Sequence, residues 1–403
     1  MIFTRALTLV ALLFAGGAAI ASLDERAAPF GLQVIPETYS IGMKRLQASA
    51  IELAQEGEID EAKATAKMAI QRSPLEQGPL ATLGAIEFDE GEAEAAQMSF
   101  LASGALGWRD LATQAYILEQ ATQTGDATVL AQRIDAILRL GTPYERMSSL
   151  VTTAEAFDTD FTAFPTRLAA SPPWVNAYII DAGQLTGTAL QSRVRILREA
   201  RSLGMPLNCR PVGWASQQMI ESENIASAIA TWQGLGCGEV SPTNLGSLAG
   251  SFEETGQSSE ATTQLRWMPT NNEEIQTLIE TAPFQLNGKA LHILDVAPGR
   301  KLAVQRAINL AEGSYTLQWR DFATTPGAEY SILVDCVTNG RRLSSAAAFK
   351  PKTNSDPSLR QVNVTVPATD CPGQRIRVFS SSSGQRSDFW LDDFAISAVS
   401  QNR

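Results

Sequence analysis

A fixed spacing between glycines constrains the first third of this chain more than any other feature. Gly57, Gly91 and Gly125 each lie between acidic or hydroxyl side chains, and each is 34 residues from the next. Glycine adopts the left-handed backbone that ends a helix without strain. A period of this length accommodates two short helices and their turns. The spacing therefore predicts stacked helical hairpins, because one hairpin alone leaves an apolar face that only a neighbour covers.

Other positions keep the same register, and Leu46 recurs one period later as Leu80. The pattern resembles the tetratricopeptide repeat family, in which small residues let two antiparallel helices approach closely. The resemblance implies an α-helical solenoid whose groove binds extended peptides or helices of other proteins. We predict this helical-repeat domain over residues 43–282, with a break in the pattern near residues 157–173.

In such repeats the groove is lined by the first helix of each hairpin. The third repeat begins its first helix near Leu111. On this basis we predict Arg109, Gln114 and Tyr116 as protein-binding groove residues.

The first 23 residues have the composition of an export signal. Arg5 is the only charged residue among them, and residues 6–22 are uncharged and mostly apolar. The triplet at residues 19–21 is a small-x-small cleavage site, so residues 1–21 are interpreted as a signal peptide. The alternative is an uncleaved inner-membrane anchor formed by residues 6–22. Both interpretations make the protein periplasmic or secreted, and it contacts a membrane only through this segment if the segment is uncleaved. Residues 22–42 follow as a linker.

The chain has four cysteines, and none of them is in a Cys-x-x-Cys pair. This spacing disfavours zinc ribbons and thioredoxin-like redox chemistry. An even number of cysteines after an export signal predicts two disulfides, Cys209–Cys237 and Cys336–Cys371. The alternative is four buried free thiols.

A period of two replaces the helical pattern from Pro283 onward. About eight short apolar strands follow, separated by turns rich in Gly, Pro, Ser and Asn, over residues 283–400. This arrangement predicts an antiparallel β-sandwich of the jelly-roll type. The fold class is therefore α+β and multidomain, with helical repeats followed by the sandwich. The predicted inward positions are Tyr315, Leu317, Trp319, Ile332, Val334, Cys336, Val362, Val364 and Val366.

The last predicted strand carries the run Phe389-Trp390-Leu391-Asp392-Asp393-Phe394. It resembles the final strand of carbohydrate-binding jelly-roll modules, which often contain an aromatic-x-Asp-Asp-aromatic pattern. The resemblance implies sugar binding and a structural Ca²⁺ ion held by Asp392 or Asp393. Neighbouring strand residues point to opposite faces, so these two aspartates do not form a catalytic pair.

Four aromatic residues are candidates for a platform that stacks on a sugar ring, since such a platform is a flat apolar face with polar borders. Phe322 is the best placed of them because we expect it in a loop. The alternative is that the two tryptophans of the set fill the sandwich core. The candidates are Trp319, Phe322, Tyr330 and Trp390.

Charge and histidine content restrict the function further. The net charge is −11, which disfavours nucleic acid and anionic membranes as partners. His292 is the chain's one histidine, so histidine-rich zinc sites and a Ser-His-Asp triad are disfavoured. We interpret it as a solvent-facing strand residue. No phosphate loop or nucleotide fingerprint occurs, and no cofactor is expected beyond the calcium.

The first functional hypothesis is a non-enzymatic exported scaffold or adaptor. It would bind envelope proteins through the helical-repeat groove, in the assembly or export of envelope polysaccharide. The alternative is a carbohydrate-binding protein that acts through the sandwich and uses the helices as a spacer. A third hypothesis, an enzyme acting on polysaccharide, requires two carboxylates facing each other across a groove, and the sequence nominates no such pair.

Overall fold

The computed structural model describes residues 42–238, 263–282, 286, 289–345, 347–353, 356–384 and 386–399. The predicted signal peptide and residues 22–41 of the predicted linker lie outside these ranges. The chain divides into two compact units, Met1–Arg167 and Leu168–Arg403. Within the described ranges, no helix is both long enough and apolar enough to cross a membrane.

The first unit consists of helical hairpins in the predicted register. Gly57, Gly91 and Gly125 lie in the hairpin turns with φ of +87°, +79° and +69°, which is the left-handed region that favours glycine. The helices are α1 (Met43–Gln55), α2 (Ile59–Arg72), α3 (Gln77–Asp89), α4 (Ala93–Leu106), α5 (Leu111–Thr124), α6 (Ala127–Arg139) and α7 (Tyr144–Glu155), and α8 (Ala163–Ala169) spans the boundary between the two units in the sequence. The first helices of successive hairpins contact one another: α1 contacts α3, and α3 contacts α5.

Small residues allow these helices to pack closely. Ala50, Ala62 and Ala66 are fully buried between the first two hairpins. At Gly84 a Cβ atom would lie 3.1 Å from the ring of Phe100, so a side chain there would force α3 away from α4. The alanine-rich repeats therefore position the helices by backbone proximity.

The second unit begins with four further helices. The Cys209–Cys237 disulfide joins the start of α11 to the turn after α12, as predicted. The predicted helical segment near residues 245–262 lies outside the described residues. The helices are α9 (Val175–Asp181), α10 (Gly187–Ser202), α11 (Cys209–Glu221) and α12 (Ile225–Gly234).

The rest of the second unit is a sandwich of two five-stranded antiparallel sheets. The first sheet has the order β1-β4-β9-β6-β7, and the second has the order β2-β3-β10-β5-β8. The predicted α+β fold class is confirmed. The strands are β1 (Met268–Pro269), β2 (Ile275–Thr281), β3 (Lys289–Asp295), β4 (Gly299–Ile308), β5 (Gly313–Ala323), β6 (Glu329–Cys336), β7 (Ala348–Phe349), β8 (Ser358–Val366), β9 (Gln374–Ser382) and β10 (Ser387–Ala398).

The strands begin earlier than the predicted boundary at residue 283. Ile275–Thr281 was included in the helical domain, but it forms β2 and pairs with β3 along its whole length. Pairing with the next strand along the chain outweighs the local helical pattern in so short a run. The sandwich therefore includes residues from Met268 onward.

The sandwich core lies between the two sheets, and all nine predicted inward positions are in it. Alternation places every second residue of β5, β6 and β8 inside. The Cys336–Cys371 disulfide adds a covalent link beside this core, as predicted. Each sheet also has an outer face, which points away from the core and is available for other contacts.

Candidate functional site

Two of the predicted platform residues are in the core instead of on the surface. Trp319 and Tyr330 are fully buried. Trp319 Nε1 donates to the Tyr330 hydroxyl at 2.6 Å, and that hydroxyl donates to Asp321 Oδ2 at 2.8 Å. Arg360 Nε donates to the same carboxylate oxygen at 2.9 Å. Burial raises the pKa of the Tyr330 phenol, and the Asp321 charge adds to the rise. This closed network is structural.

The other two platform residues are also covered. Phe322 is a residue of β5, not of a loop, and only 4% of it is exposed. It lies directly opposite Trp390, which is also buried, on the outer side of the second sheet. Leu286 and Ala290 pack against both rings. The predicted four-residue platform is therefore wrong, because strand alternation sends Trp319 and Phe322 to opposite faces.

His292 is more enclosed than a solvent-facing strand residue. Its side chain is 12% exposed, and it stacks against Trp390 on the outer side of the second sheet. Its Nδ1 contacts Glu280 Oε1, and its Nε2 lies 2.8 Å from Asp388 Oδ1. The two carboxylates lie on opposite sides of the ring, so they do not converge as metal ligands would. The contacts join β2, β3 and β10.

The predicted calcium ligands do not form a shared site. Asp392 is buried, whereas Asp393 has a positive φ of 52° and lies 3.2 Å from Arg320 Nε. A β-bulge between Asp392 and Ala395 turns the two carboxylates apart. Across the described part of the chain, no group of three potential metal-ligating side chains is present. A calcium ion held by one of these aspartates with other oxygens stays a prediction.

A charged surface on the outer side of the first sheet was not predicted. It contains four arginines, on β4, on β9 and beside β6. On β9 the arginines alternate with the core residues Ile376 and Val378, so they face away from the core. We call this surface the arginine face, and it comprises Arg300, Arg342, Arg375 and Arg377 together with Ser331, Asp335 and Phe379.

Asp335 is the buried centre of the arginine face. Arg377 Nη2 contacts its Oδ2 atom, and Arg375 Nη2 lies 3.5 Å from the same atom. Arg342 pairs with Asp335 in an isolated antiparallel bridge and is exposed. One carboxylate therefore orders two arginines, which are each about a quarter exposed.

Phe379 gives the arginine face a flat apolar centre. The Arg300 Cζ atom lies 3.8 Å from the centroid of the ring, and the Arg377 Cζ atom lies 5.3 Å from it. Arg300 Nη2 reaches past the ring to Ser331 Oγ at 3.4 Å. Burial lowers the pKa of Arg300, and the charges of Arg342 and Arg377 add to the lowering. One guanidinium group thus lies over the half-buried aromatic ring, and a second lies close to it.

The sequence did contain a signal for this surface. The run Arg375-Ile376-Arg377-Val378-Phe379 alternates arginine or phenylalanine with apolar residues. Such alternation predicts a strand with one buried face and one polar face. The sequence does not indicate that Arg300 belongs to this surface. Arg300 comes from a strand about 75 residues earlier, which pairs with β9 only in the folded chain.

The first unit contains a separate apolar pocket of 530 Å³. Leu111, Ala115, Leu118 and Thr122 form one wall; at this spacing they share one face of α5. Residues of α6, of α7 and of the turn between them complete the lining. Part of the wall is open to solvent, since Leu111 is 51% exposed. The complete lining is Leu111, Ala115, Leu118, Glu119, Thr122, Ile137, Thr142, Met147 and Leu150.

The predicted groove residues lie on or just before α5 but do not line this pocket. Gln114 is fully buried and accepts a hydrogen bond from Arg133 Nη1 at 2.8 Å. Tyr116 stacks on Phe100 with 4.3 Å between ring centroids. Arg109 precedes α5 and is exposed. Gln114 is therefore unavailable to a partner, whereas a groove role for Arg109 and Tyr116 stays a prediction.

Comparison with known proteins gives matches only among solved structures: no family model matches the chain, and no curated protein matches it. The module TmCBM61 in complex with β-1,4-galactotriose matches with a TM-score of 0.26 and 12% identity, over 36% of this chain and 93% of that one. A putative sugar binding protein from Bacteroides thetaiotaomicron matches with a TM-score of 0.27 and 14% identity, over 36% and 90%.

The xylan-binding domain CBM22-1 of Xyn10C from Paenibacillus barcinonensis matches with a TM-score of 0.26 and 12% identity, over 33% of this chain and 85% of that one. Two of these neighbours, TmCBM61 and CBM22-1, are carbohydrate-binding modules. The sugars in their descriptions are ligands of those proteins.

Proposed function

We propose that this protein is a non-enzymatic binding protein whose β-sandwich binds polysaccharide on the arginine face. One observation carries the proposal: two guanidinium carbons lie 3.8 and 5.3 Å from the centroid of the half-buried Phe379 ring, on the outer side of the first sheet. Sugar rings stack on flat apolar surfaces, and their hydroxyl groups accept hydrogen bonds from planar donors such as arginine. The ring of Phe379 and the guanidinium donors are therefore close enough together for one sugar residue to contact both.

The distribution of carboxylates supports binding without catalysis. Hydrolysis of a glycosidic bond requires two carboxyl groups that face each other across a groove. In the sandwich, buried carboxylates are instead paired with cations, as Asp295 is with Lys301 at 3.0 Å and Asp321 is with Arg360 at 2.9 Å. A carboxylate neutralised in this way is a poor general acid or base.

We place this binding function outside the cytoplasm, in the periplasm or secreted. The two disulfides support this location, since such bonds form and persist in oxidising compartments. A polysaccharide of the cell envelope is then the accessible ligand.

Affinity electrophoresis of the full chain tests the proposal with a panel of gels containing galactan, xylan, dextran or polygalacturonate. At least one polymer is expected to retard the protein. Phe379→Ala is expected to abolish the retardation by removing the ring that two arginines border. Leu278→Ala is the matched control, because Leu278 is 41% exposed on the outer side of the other sheet. Free migration in every gel would overturn the proposal.

A second candidate function concerns protein binding by the first unit, and the apolar pocket favours it. Residues 43–167 carry ten basic and nineteen acidic side chains, a formal charge of −9. Glu119 lies among the pocket-lining residues. The occupant that suits both features is an amphipathic helix of a partner, with apolar side chains for the pocket and basic side chains around them. We propose that this unit is the protein-binding part of an envelope scaffold.

Fluorescence anisotropy with a labelled leucine–lysine peptide, its leucines at helical spacing, tests this second function. A scrambled peptide of the same composition measures attraction by charge alone. Ala115→Trp is expected to fill the pocket and weaken binding of the ordered peptide at least fivefold. Ala102→Trp, at an exposed position of α4 outside the pocket, is the control. Equal binding of both peptides would exclude a role for the pocket.

A further inference from the structure

The arginine face carries more positive charge than the residues around it neutralise. Asp335 is its one buried carboxylate and already contacts Arg375 and Arg377. Arg300 and Arg342 make no ion pair within the described residues, although both are exposed to solvent. The four guanidinium groups and Asp335 leave a local excess of three positive charges, in a chain whose net charge is −11. Glu329, on the same face of β6, does not reduce this excess, because it is paired with Lys350 at 3.5 Å.

The excess is concentrated within a small area. Arg375 lies opposite Asp335 on the neighbouring strand, and Arg342 lies opposite Asp335 on its other side. Arg375 and Arg377 are two residues apart on one strand face, which separates their Cα atoms by roughly 7 Å. The charges of Arg342 and Arg377, after burial, contribute to the lowered pKa of Arg300. Like charges held this close favour an anion between them.

Guanidinium groups in this setting have a preferred partner. Arginine binds carboxylates through two parallel hydrogen bonds and keeps this geometry when it stacks on an aromatic ring. The Arg300 guanidinium lies over the Phe379 ring, and the Arg300 side chain is exposed to solvent. A sugar that carries a carboxylate satisfies both the ring and the arginine edges, whereas a neutral sugar leaves the excess charge unmatched.

We infer that the arginine face binds an anionic polysaccharide that carries carboxylate groups on its sugars, that is, a polyuronate. This inference rests on the proposed polysaccharide binding and names its ligand class. The negative charge of the rest of the chain does not prevent it. At physiological ionic strength charges more than about 8 Å apart are largely screened, so the local arginines determine the contact.

Isothermal titration calorimetry of the full chain provides the test. The probes are hexagalacturonate and its fully methyl-esterified form, which has the same sugars without the charges. Hexagalacturonate is expected to bind, and the ester is expected to bind at least tenfold more weakly. Arg342→Gln and Arg300→Gln are each expected to weaken hexagalacturonate binding at least threefold. Arg386→Gln, an exposed arginine at the start of the other sheet's last strand, is expected to leave it unchanged.

Thermal unfolding of each variant shows that it is folded, and Arg342→Lys retains the charge and part of the affinity. The inference is overturned if the ester binds as tightly as hexagalacturonate, if Arg386→Gln weakens binding as much as Arg342→Gln, or if single-stranded DNA of equal charge binds equally well. If neutral oligosaccharides bind and hexagalacturonate does not, polysaccharide binding stands and the anionic class is wrong. If no glycan binds, both fail.

Discussion

His292 and Trp390 lie face to face on neighbouring strands, with 3.9 Å between ring centroids and 5° between ring planes. They occupy directly opposed positions of β3 and β10. The imidazole also contacts Glu280 through one nitrogen and Asp388 through the other. Each ring nitrogen thus has a carboxylate oxygen as its neighbour. The chain's one histidine thus connects three strands of the second sheet.

Replacing this histidine is expected to destabilise the sandwich. His292→Ala removes the stack and leaves two carboxylates without their shared donor, so the free energy of unfolding should fall by about 1–3 kcal/mol. Urea denaturation measures the loss. His292→Phe keeps a ring against Trp390 and is expected to recover part of it. Leu278 is an exposed neighbour of His292 on β2. If His292→Ala costs no more stability than Leu278→Ala, then His292 does not stabilise the contact between the three strands.

The buried Arg306 side chain is expected to lower the free energy of unfolding, so an apolar replacement should stabilise the protein. Its side chain is buried, and its Nε and Nη1 atoms have no hydrogen-bond partner within the described residues. An uncompensated buried charge is costly, and an apolar side chain of similar length avoids that cost. Arg306→Met is expected to raise the free energy of unfolding by about 1–3 kcal/mol at pH 7.

The pH dependence of this gain provides an independent check. Burial lowers the pKa of Arg306 to about 10, and the charge of Arg266 adds to the lowering. Above about pH 10 the folded wild type releases this proton while the unfolded chain retains it, so wild-type stability gains relative to Arg306→Met. The advantage of Arg306→Met is expected to be constant below pH 9 and to shrink above pH 10. An advantage that grows with pH would refute this explanation.

Tyr330→Phe is expected to destabilise the core although it removes a single oxygen atom. The hydroxyl accepts from Trp319 and donates to Asp321, whose side chain is fully buried. Without it, the indole N–H loses its acceptor, and among the described residues the carboxylate keeps Arg360 as its side-chain partner. We expect a loss of about 1–3 kcal/mol by thermal or urea unfolding. Tyr315→Phe is the control, because the Tyr315 hydroxyl donates to the Ala311 carbonyl and not to a carboxylate. A similar loss of stability in Tyr315→Phe would show that the buried Asp321 carboxylate does not cause the effect of Tyr330→Phe.

Opening the Cys336–Cys371 disulfide is expected to lower stability without changing the fold. Its cysteines are 35 residues apart, and a cross-link of that length stabilises a chain by about 3–4 kcal/mol through the unfolded state. The Cys336→Ser, Cys371→Ser double variant should therefore unfold at lower urea concentration while it keeps the wild-type circular dichroism spectrum. Unchanged stability under reducing conditions would argue against a structural role for this bond.

Local patterns predicted those features that depend on nearest neighbours in the sequence. The glycine period located the hairpin turns, because positive φ is required at Gly57, Gly91 and Gly125 whatever lies around them. Alternation located the inward positions of β5, β6 and β8, because side chains of a strand must point to opposite faces. Both rules act within a few residues, so neither needs a partner strand or helix.

The candidate sites depend on which distant segments meet, and local patterns do not contain that information. Trp319 and Phe322 look equally suitable for a sugar platform until pairing places one inside the sandwich and covers the other with Trp390. Arg300 reaches Phe379 only because β4 pairs with β9.

The sequence by itself determined the helical hairpins, the strand core and the cysteine pairing of this protein, since periodicity and spacing specify which residues can be buried together. Only the tertiary structure decided that four arginines share one sheet face and that the open wall of α5 is the one through Leu111 and Ala115. The physical reason is that exposure is a property of the assembled surface: a polar or apolar residue is available to a ligand only where no other segment of the chain covers it.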